Sequence, residues 1–149
     1  MKFKIVEEIQ ETLEYFGIHN YKFNSDATLD VFQTVNLAEK KLTELPFKFG
    51  KVDGDFYCYK NKLKSLQDCP KIIDGDFDCN NNKLKDLKYA PEIVNGDFYC
   101  YMNDLKSLDG LNIDGVSGII YARDNPDLKF NDKVQLLISL NPGKIKITK

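Results

Sequence analysis

The sequence predicts an α/β repeat solenoid. Its expected parts are stacked coils with short parallel β-strands along a concave face, an N-terminal helical cap and a C-terminal helix-strand cap. Three observations carry this prediction. Nearly the same nine residues occur three times, 21 residues apart, as DGDFYCYKN from Asp53, DGDFDCNNN from Asp74 and NGDFYCYMN from Asn95. Each copy alternates apolar and polar positions around Phe-x-Cys, the period of a short strand with one face inward. Outside the copies the apolar spacing becomes helical at both ends. A single 21-residue coil cannot bury its own apolar side, whereas coils stacked on one another can.

The elements follow in order. Ile5, Ile9, Leu13 and Phe16 recur at helical spacing with glutamates between them, which predicts an amphipathic helix over 3–17, stopped by Gly17. Residues 18–36 predict a short hairpin turning at Asn24-Ser25-Asp26-Ala27, so that 1–28 forms a cap over the first coil. Five repeats of 19–22 residues fill 29–130. Phe56, Phe77 and Phe98 share a column, as do Cys58, Cys79 and Cys100, Asn61, Asn82 and Asn103, Leu63, Leu84 and Leu105, and Leu66, Leu87 and Leu108. A degenerate first copy places Val35, Leu37, Leu42 and Leu45 in these columns, with Lys40 at the Asn position. After the third good copy the period shortens, Asp114-Gly115 following Asn95-Gly96 by 19 residues. Ile120, Ala122, Asn125 and Leu128 then form a ragged fifth copy. In the last cap, 131–149, Asn131 starts a helix to about Leu140, Asn141-Pro142-Gly143 ends it, and KIKIT forms an edge strand.

The columned Asn residues predict an internal ladder, because amides at successive bends can pair backbone groups of the neighbouring coil and buried polar groups must be paired. The columned cysteines alternate with polar residues and so point inward, where thiols are inert. No CxxC pair is present, so neither a disulfide framework nor a zinc site is predicted.

These columns resemble the leucine-rich repeat. F-x-C-x-x-N-x-L-x-x-L is similar to the core L-x-L-x-x-N-x-L-x-x-L, and closest to the short bacterial type of about 20–22 residues, whose returning arc is mostly extended. Phe and Cys stand for two of the leucines, and Lys40 interrupts the Asn column. The resemblance covers roughly residues 29–130. The DFxC variant, with its leading LTELPFKFGKV, looks like small repeat proteins of large tailed bacteriophages and some bacteria. It implies a binding scaffold without chemistry of its own. By analogy it suggests a phage accessory protein, in the host cytoplasm, that inhibits a host factor or a defence or toxin component.

Composition sets limits. A formal net charge of −2 argues against nucleic acid and anionic membrane as partners. No apolar run reaches a membrane span. Glutamates at 7, 8, 11 and 14 fall where an export signal would be apolar, and free thiols suit a reducing compartment, so a cytoplasmic monomer is expected. No cofactor is predicted. The one histidine, His19, has no nucleophile context, and Gly54, Gly75 and Gly96 belong to the repeat turn rather than a phosphate loop, so no enzyme is predicted.

The outward strand positions are the candidate binding residues: Asp55, Tyr57 and Tyr59; Asp76, Asp78 and Asn80; Asp97, Tyr99 and Tyr101; then Tyr121 and Arg123. Tyrosine offers large rigid area with a polar tip. A protein partner with a basic surface fits this set. Three readings of the Asp55–Asp76–Asp97 column stay open: turn capping repeated by duplication, an acidic binding face, or a calcium site, although an EF-hand's ligands are missing. Lys62, Lys83, Lys64, Lys85 and Lys106 form a basic flank, read as a solvated edge or a phosphate-tracking row. Two alternatives to protein binding are a nucleic-acid mimic that blocks a nucleic-acid-binding site and an enzyme acting on a small substrate.

Overall fold

A computed structural model describes residues 2–148; residues 1 and 149, the outer limits of the two expected caps, lie outside the described residues. Over the described residues the chain is a mixed α/β fold of two α-helices and two sheets whose strands are almost all parallel.

Helix α1 (Lys2–Tyr15) buries Leu13 and sets Ile9 and Phe16 against the core, while Ile5 stays 54% exposed. The apolar stripe read from Ile5 onward therefore engages only in its C-terminal half. Gly17, at φ 66, lets the chain turn back so that the Ile18 N–H reaches the Leu13 carbonyl at 2.8 Å. The hairpin follows as β1 (Tyr21–Phe23) and β2 (Leu29–Val31), antiparallel, with Tyr21 opposite Val31.

Each of the first four repeats contributes two strands, and the fifth one strand and an isolated bridge at Val116. One sheet holds β1, β2, β4 (Phe49–Val52), β6 (Ile72–Ile73) and β8 (Ile93–Val94). The other is a six-stranded parallel sheet: β3 (Val35–Asn36), β5 (Phe56–Tyr57), β7 (Phe77–Asp78), β9 (Phe98–Tyr99), β10 (Ile120–Tyr121) and β11 (Ile145–Lys146). Strands pair with their equivalents one repeat on: Phe56 with Phe77, Phe77 with Phe98, Ile72 with Ile93. The sequence reading expected one sheet; the β-branched pairs of the returning arc form the second. Phe56, Phe77 and Phe98 and the columned leucines and cysteines are buried in one continuous core.

The Asn column lies inside the fold. Asn82 Oδ1 accepts the Leu63 N–H at 3.0 Å, and its Nδ2 donates to the Cys58 and Cys79 carbonyls at 3.0 and 3.1 Å. Asn61, Asn103 and Asn125 repeat the pattern; at the Lys40 position the backbone N–H is taken by Asn61 Oδ1 at 3.0 Å. The residue before each ladder Asn is left-handed: Lys60, Asn81, Met102 and Asp124 have φ of 51–55°.

One spacing departs from expectation. Ile120 pairs with Phe98, and Val116 with Val94, each 22 residues on, so the period lengthens where the sequence reading had it shorten to 19. Gly118, not Gly115, occupies the position of Gly96, its N–H donating to the Gly96 carbonyl at 2.9 Å. Asp114-Gly115 sits instead in a 3-10 turn, Ile113–Gly115, that takes up the extra residue in the arc. Helix α2 (Asp132–Leu140) begins at Asn131, whose side chain accepts the Val134 N–H at 3.2 Å, and β11 closes the six-stranded sheet as its edge.

Candidate functional site

The corner between the two sheets is the Asp-Gly-Asp segment, and its geometry explains the repeated motif. Asp55 Oδ1 accepts the Asp76 N–H at 2.7 Å, Asp76 Oδ1 accepts the Asp97 N–H at 2.7 Å, and Asp97 Oδ1 accepts the Ile119 N–H at 2.7 Å. Each carboxylate oxygen lies where the next repeat's glycine would carry a side chain: a Cβ at Gly75 or Gly96 would stand 2.1 Å from it. Glycine is required there by close approach, and the preceding aspartate fills the room. The turn-capping reading of the aspartate column is the one this geometry matches. A backbone donor on each carboxylate offsets like-charge repulsion along the column. These aspartates are half-buried, not free surface charges.

Outside this seam the six-stranded sheet presents its tyrosines. Tyr57 donates to Asp55 Oδ2 at 2.8 Å and Tyr99 to Asp97 Oδ2 at 3.2 Å. The bond to Asp55, followed by burial, pushes the Tyr57 hydroxyl up to about 12; burial, followed by Asp97, raises Tyr99 well above the ordinary range. Both hydroxyls stay protonated donors at neutral pH. Tyr57 meets Tyr59 at 6.1 Å between centroids, and Tyr99 meets Tyr101 at 6.4 Å and stacks on Tyr121 at 4.9 Å. Arg123 lies over Tyr101 at 4.6 Å and pairs with Asp124 at 2.8 Å. The structure thus brings Tyr57, Tyr59, Asp78, Tyr99, Tyr101, Tyr121 and Arg123 onto one face.

Asn80 is the exception. It was expected on the open face but is only 6% exposed, because its Nδ2 folds onto Asp78 Oδ1 at 2.5 Å. Asp78 itself is half-buried, and burial holds its carboxyl above the usual range. Lys146, not among the expected residues, lies 5.5 Å over the Tyr121 ring and extends the face by one strand. The signal for it was present: continuing the strand register into KIKIT places Lys146 beside Tyr121.

The other features stand apart. A hollow of 480 Å³ lies against the second sheet, lined by Thr28, Asp30, Lys51, Cys69, Ile72 and Tyr89 among others. Two of its charged groups already serve the chain: Asp30 accepts the Lys51 N–H at 2.8 Å, and the Lys51 ammonium pairs with Asp53 at 2.8 Å. We therefore place the candidate site on the tyrosine face rather than in this hollow. Lys64, Lys83, Lys85 and Asp104 line a smaller hollow on the basic flank. His19 is exposed. Cys58, Cys69, Cys79 and Cys100 are buried free thiols, with burial raising each well above its ordinary value. Among the described residues no three His, Cys, Asp or Glu converge to hold a metal ion, and no helix is long and apolar enough to cross a membrane. Compared with known protein families, curated proteins and solved structures, the chain matches none.

Proposed function

We propose that this chain is a leucine-rich-repeat-type solenoid that binds a protein partner through the tyrosine face of its six-stranded sheet. The observation that carries the reading is the concentration of Tyr57, Tyr59, Tyr99, Tyr101 and Tyr121 on one face, with the first two rings in contact, the other three clustered about Tyr99, and the Tyr57 and Tyr99 hydroxyls tethered by aspartates. Tyrosines held this way lose little entropy on binding and supply large rigid contact area of the kind that anchors protein interfaces. Acidic groups beside them favour a basic partner surface and speed encounter. The partner is a bacterial or host factor, which the chain inhibits as a phage accessory protein in the host cytoplasm; this step rests on the resemblance of the repeat. A nucleic-acid mimic is the weaker reading, because Asp55, Asp76 and Asp97 each spend an oxygen on backbone N–H groups, where a phosphate mimic needs its oxygens outward.

The test is capture from bacterial lysate followed by kinetics on the purified partner. Wild-type protein and a Lys62→Glu, Lys83→Glu, Lys85→Glu variant should retain the same stoichiometric partner. Tyr99→Ala should speed its dissociation at least tenfold, as expected of an anchor worth about 2 kcal/mol. If the tyrosine change is silent while the lysine variant loses the partner, the working surface is the basic flank. A captured protein that loses its nucleic-acid binding in the complex would support the mimic.

A further inference from the structure

The outward column of the six-stranded sheet reads, one residue per strand, Asn36, Tyr57, Asp78, Tyr99, Tyr121 and Lys146. Tyr99 and Tyr121 stack with centroids 4.9 Å apart and planes only 4° apart. That spacing is one strand step of about 4.8 Å, so the rings stand across the strands and the far face of Tyr99 looks along the column toward β7. There the column carries no ring. Asp78 occupies that step, and the next tyrosine, Tyr57, belongs to a strand about 9.6 Å from that of Tyr99. A short carboxylate thus stands where the aromatic stack would continue.

The substitution also strips two carboxylates of partners. In the flanking repeats a tyrosine hydroxyl satisfies the second oxygen of the aspartate, as Tyr57 does for Asp55 and Tyr99 for Asp97. Asp78 offers no such donor. Among the described residues, Asp76 Oδ2 and Asp78 Oδ2 accept no hydrogen bond, while Asp76 Oδ1 holds the Asp97 N–H and Asp78 Oδ1 holds Asn80. Neither free oxygen is sealed from solvent. One strand further on and one column across, the chain fills the equivalent need itself: the Arg123 guanidinium covers the Tyr101 ring at 4.6 Å with a carboxylate, Asp124, at its edge.

We propose that the gap at Asp78 is a docking slot for one arginine side chain of the protein partner, whose guanidinium stacks on the free face of Tyr99 and donates to Asp76 and Asp78. This rests on the tyrosine face being the protein-binding surface. The dimensions fit a flat group: contact distances of about 3.5–4 Å on each of its faces sum to about 7–8 Å, within the two-strand gap. A guanidinium is planar and weakly hydrated, and its forked donors can serve two carboxylates while its face covers a ring. An ammonium is a hydrated point charge with no flat face: it can sit over a ring, as Lys146 does at Tyr121, but cannot stack on Tyr99 while forking to two carboxylates. Charge complementarity points the same way, since Asp78 is half-buried beside Asp76 and, among the described residues, no cation pairs with it.

The experiment needs no partner in hand. The amide resonances of isotopically labelled protein are followed while blocked tripeptides, acetyl-Gly-Arg-Gly-amide and acetyl-Gly-Lys-Gly-amide, are titrated. The arginine peptide should move signals confined to β7, β9 and their flanks, and bind several-fold more tightly than the lysine peptide. Asp78→Asn keeps an acceptor for Asn80 and should weaken arginine binding at least about tenfold, the loss of one charge-assisted hydrogen bond. Asp74→Asn, an exposed carboxylate near Lys51 and away from the tyrosine face, should leave it unchanged. Absence of shifts at the slot, equal binding of both peptides, or an indifferent Asp78→Asn variant would overturn the slot. If one of these occurs while Tyr99 still governs capture of a protein, the slot alone is lost. A guanidinium-selective titration without any Tyr99-dependent capture would overturn the protein-binding reading, and with it the partner as the source of the arginine.

Discussion

Replacing Asn82 by Ala removes one rung of the internal amide ladder, and the structure allows its cost to be worked out group by group. Asn82 is 3% exposed. The Cys58 and Cys79 carbonyls lose one donor each but keep another, from Asn61 at 3.0 Å and Asn103 at 3.1 Å. The Leu63 N–H is different, because Asn82 Oδ1 is its acceptor and the site is buried. An orphaned buried donor costs about 1–3 kcal/mol, so the substitution should cost about 2 kcal/mol. With a urea dependence of about 2 kcal/mol per molar, the midpoint should fall by roughly 1 M. The assay is urea unfolding followed by circular dichroism. Its control is Asn81→Gly, next door and half-exposed, where φ is 51° and glycine fits the left-handed backbone without strain. The control should stay within about 0.5 kcal/mol of wild type. A shift in Asn82→Ala no larger than the control's would refute the ladder as a source of stability.

Gly96→Ala should cost roughly 2 kcal/mol or more, since the new Cβ would meet Asp76 Oδ1 at 2.1 Å and displace the acceptor of the Asp97 N–H. In the Asp76→Ala background the same change should cost less, and a double-mutant cycle without that coupling would contradict the close approach. Cys58, Cys79 and Cys100 should resist a bulky disulfide reagent in native buffer and react at once in denaturant, because they are fully buried and their thiols are held protonated; rapid native labelling would show the core to be open. Asp78→Asn should raise the urea midpoint at neutral pH. Burial, then nearby Asp76, lifts the folded pKa of Asp78 above its unfolded value, so its ionised form costs the fold stability, and that cost fades as pH falls through the folded value. The groups beside it are Asp76, Tyr57 and Tyr101, the last also within reach of Lys60 and Arg123, and Tyr99 is its partner on the next strand. The gain should therefore shrink in acid, and a pH-independent gain would assign the effect to something other than charge.

Much of this architecture was legible because the period repeats the same physical demand. Asn61, Asn82 and Asn103 share a column with buried leucines two residues on, which left the inside of the bend as their place. Cys58, Cys79 and Cys100 alternate with polar residues, which fixed their inward direction. The second sheet was not legible, because Ile72-Ile73 and Ile93-Val94 set two apolar residues side by side, with no apolar–polar alternation beyond them to mark a strand. The lengthened last repeat was misjudged because Asp114-Gly115 imitates the Asp-Gly corner, while the residue pair that takes that role, Ser117-Gly118, lacks the aspartate. On the candidate face, strand alternation placed the tyrosines, but it could not tell whether a carboxylate points to solvent or back into the next repeat's backbone. Nor could it show that the Asn80 amide folds onto Asp78, since that depends on side-chain torsions rather than register.

The Asp ladder reaches one repeat forward and the Asn ladder one repeat back, with bonds that join Asp55 to Asp76 and Asn82 to Leu63 in the same way as their successors. The unit is therefore its own template. An added 21-residue copy would find its acceptors and donors already in place on both sides, and the end caps would not register the change. Gene duplication can then lengthen the face by about 4.8 Å per event without redesigning the core. The choice of residue at the Asp78 position in each new copy would write a ring or a gap into the column. Such a surface can be extended and reworded a unit at a time, at a pace set by recombination rather than by the accumulation of compensating point changes.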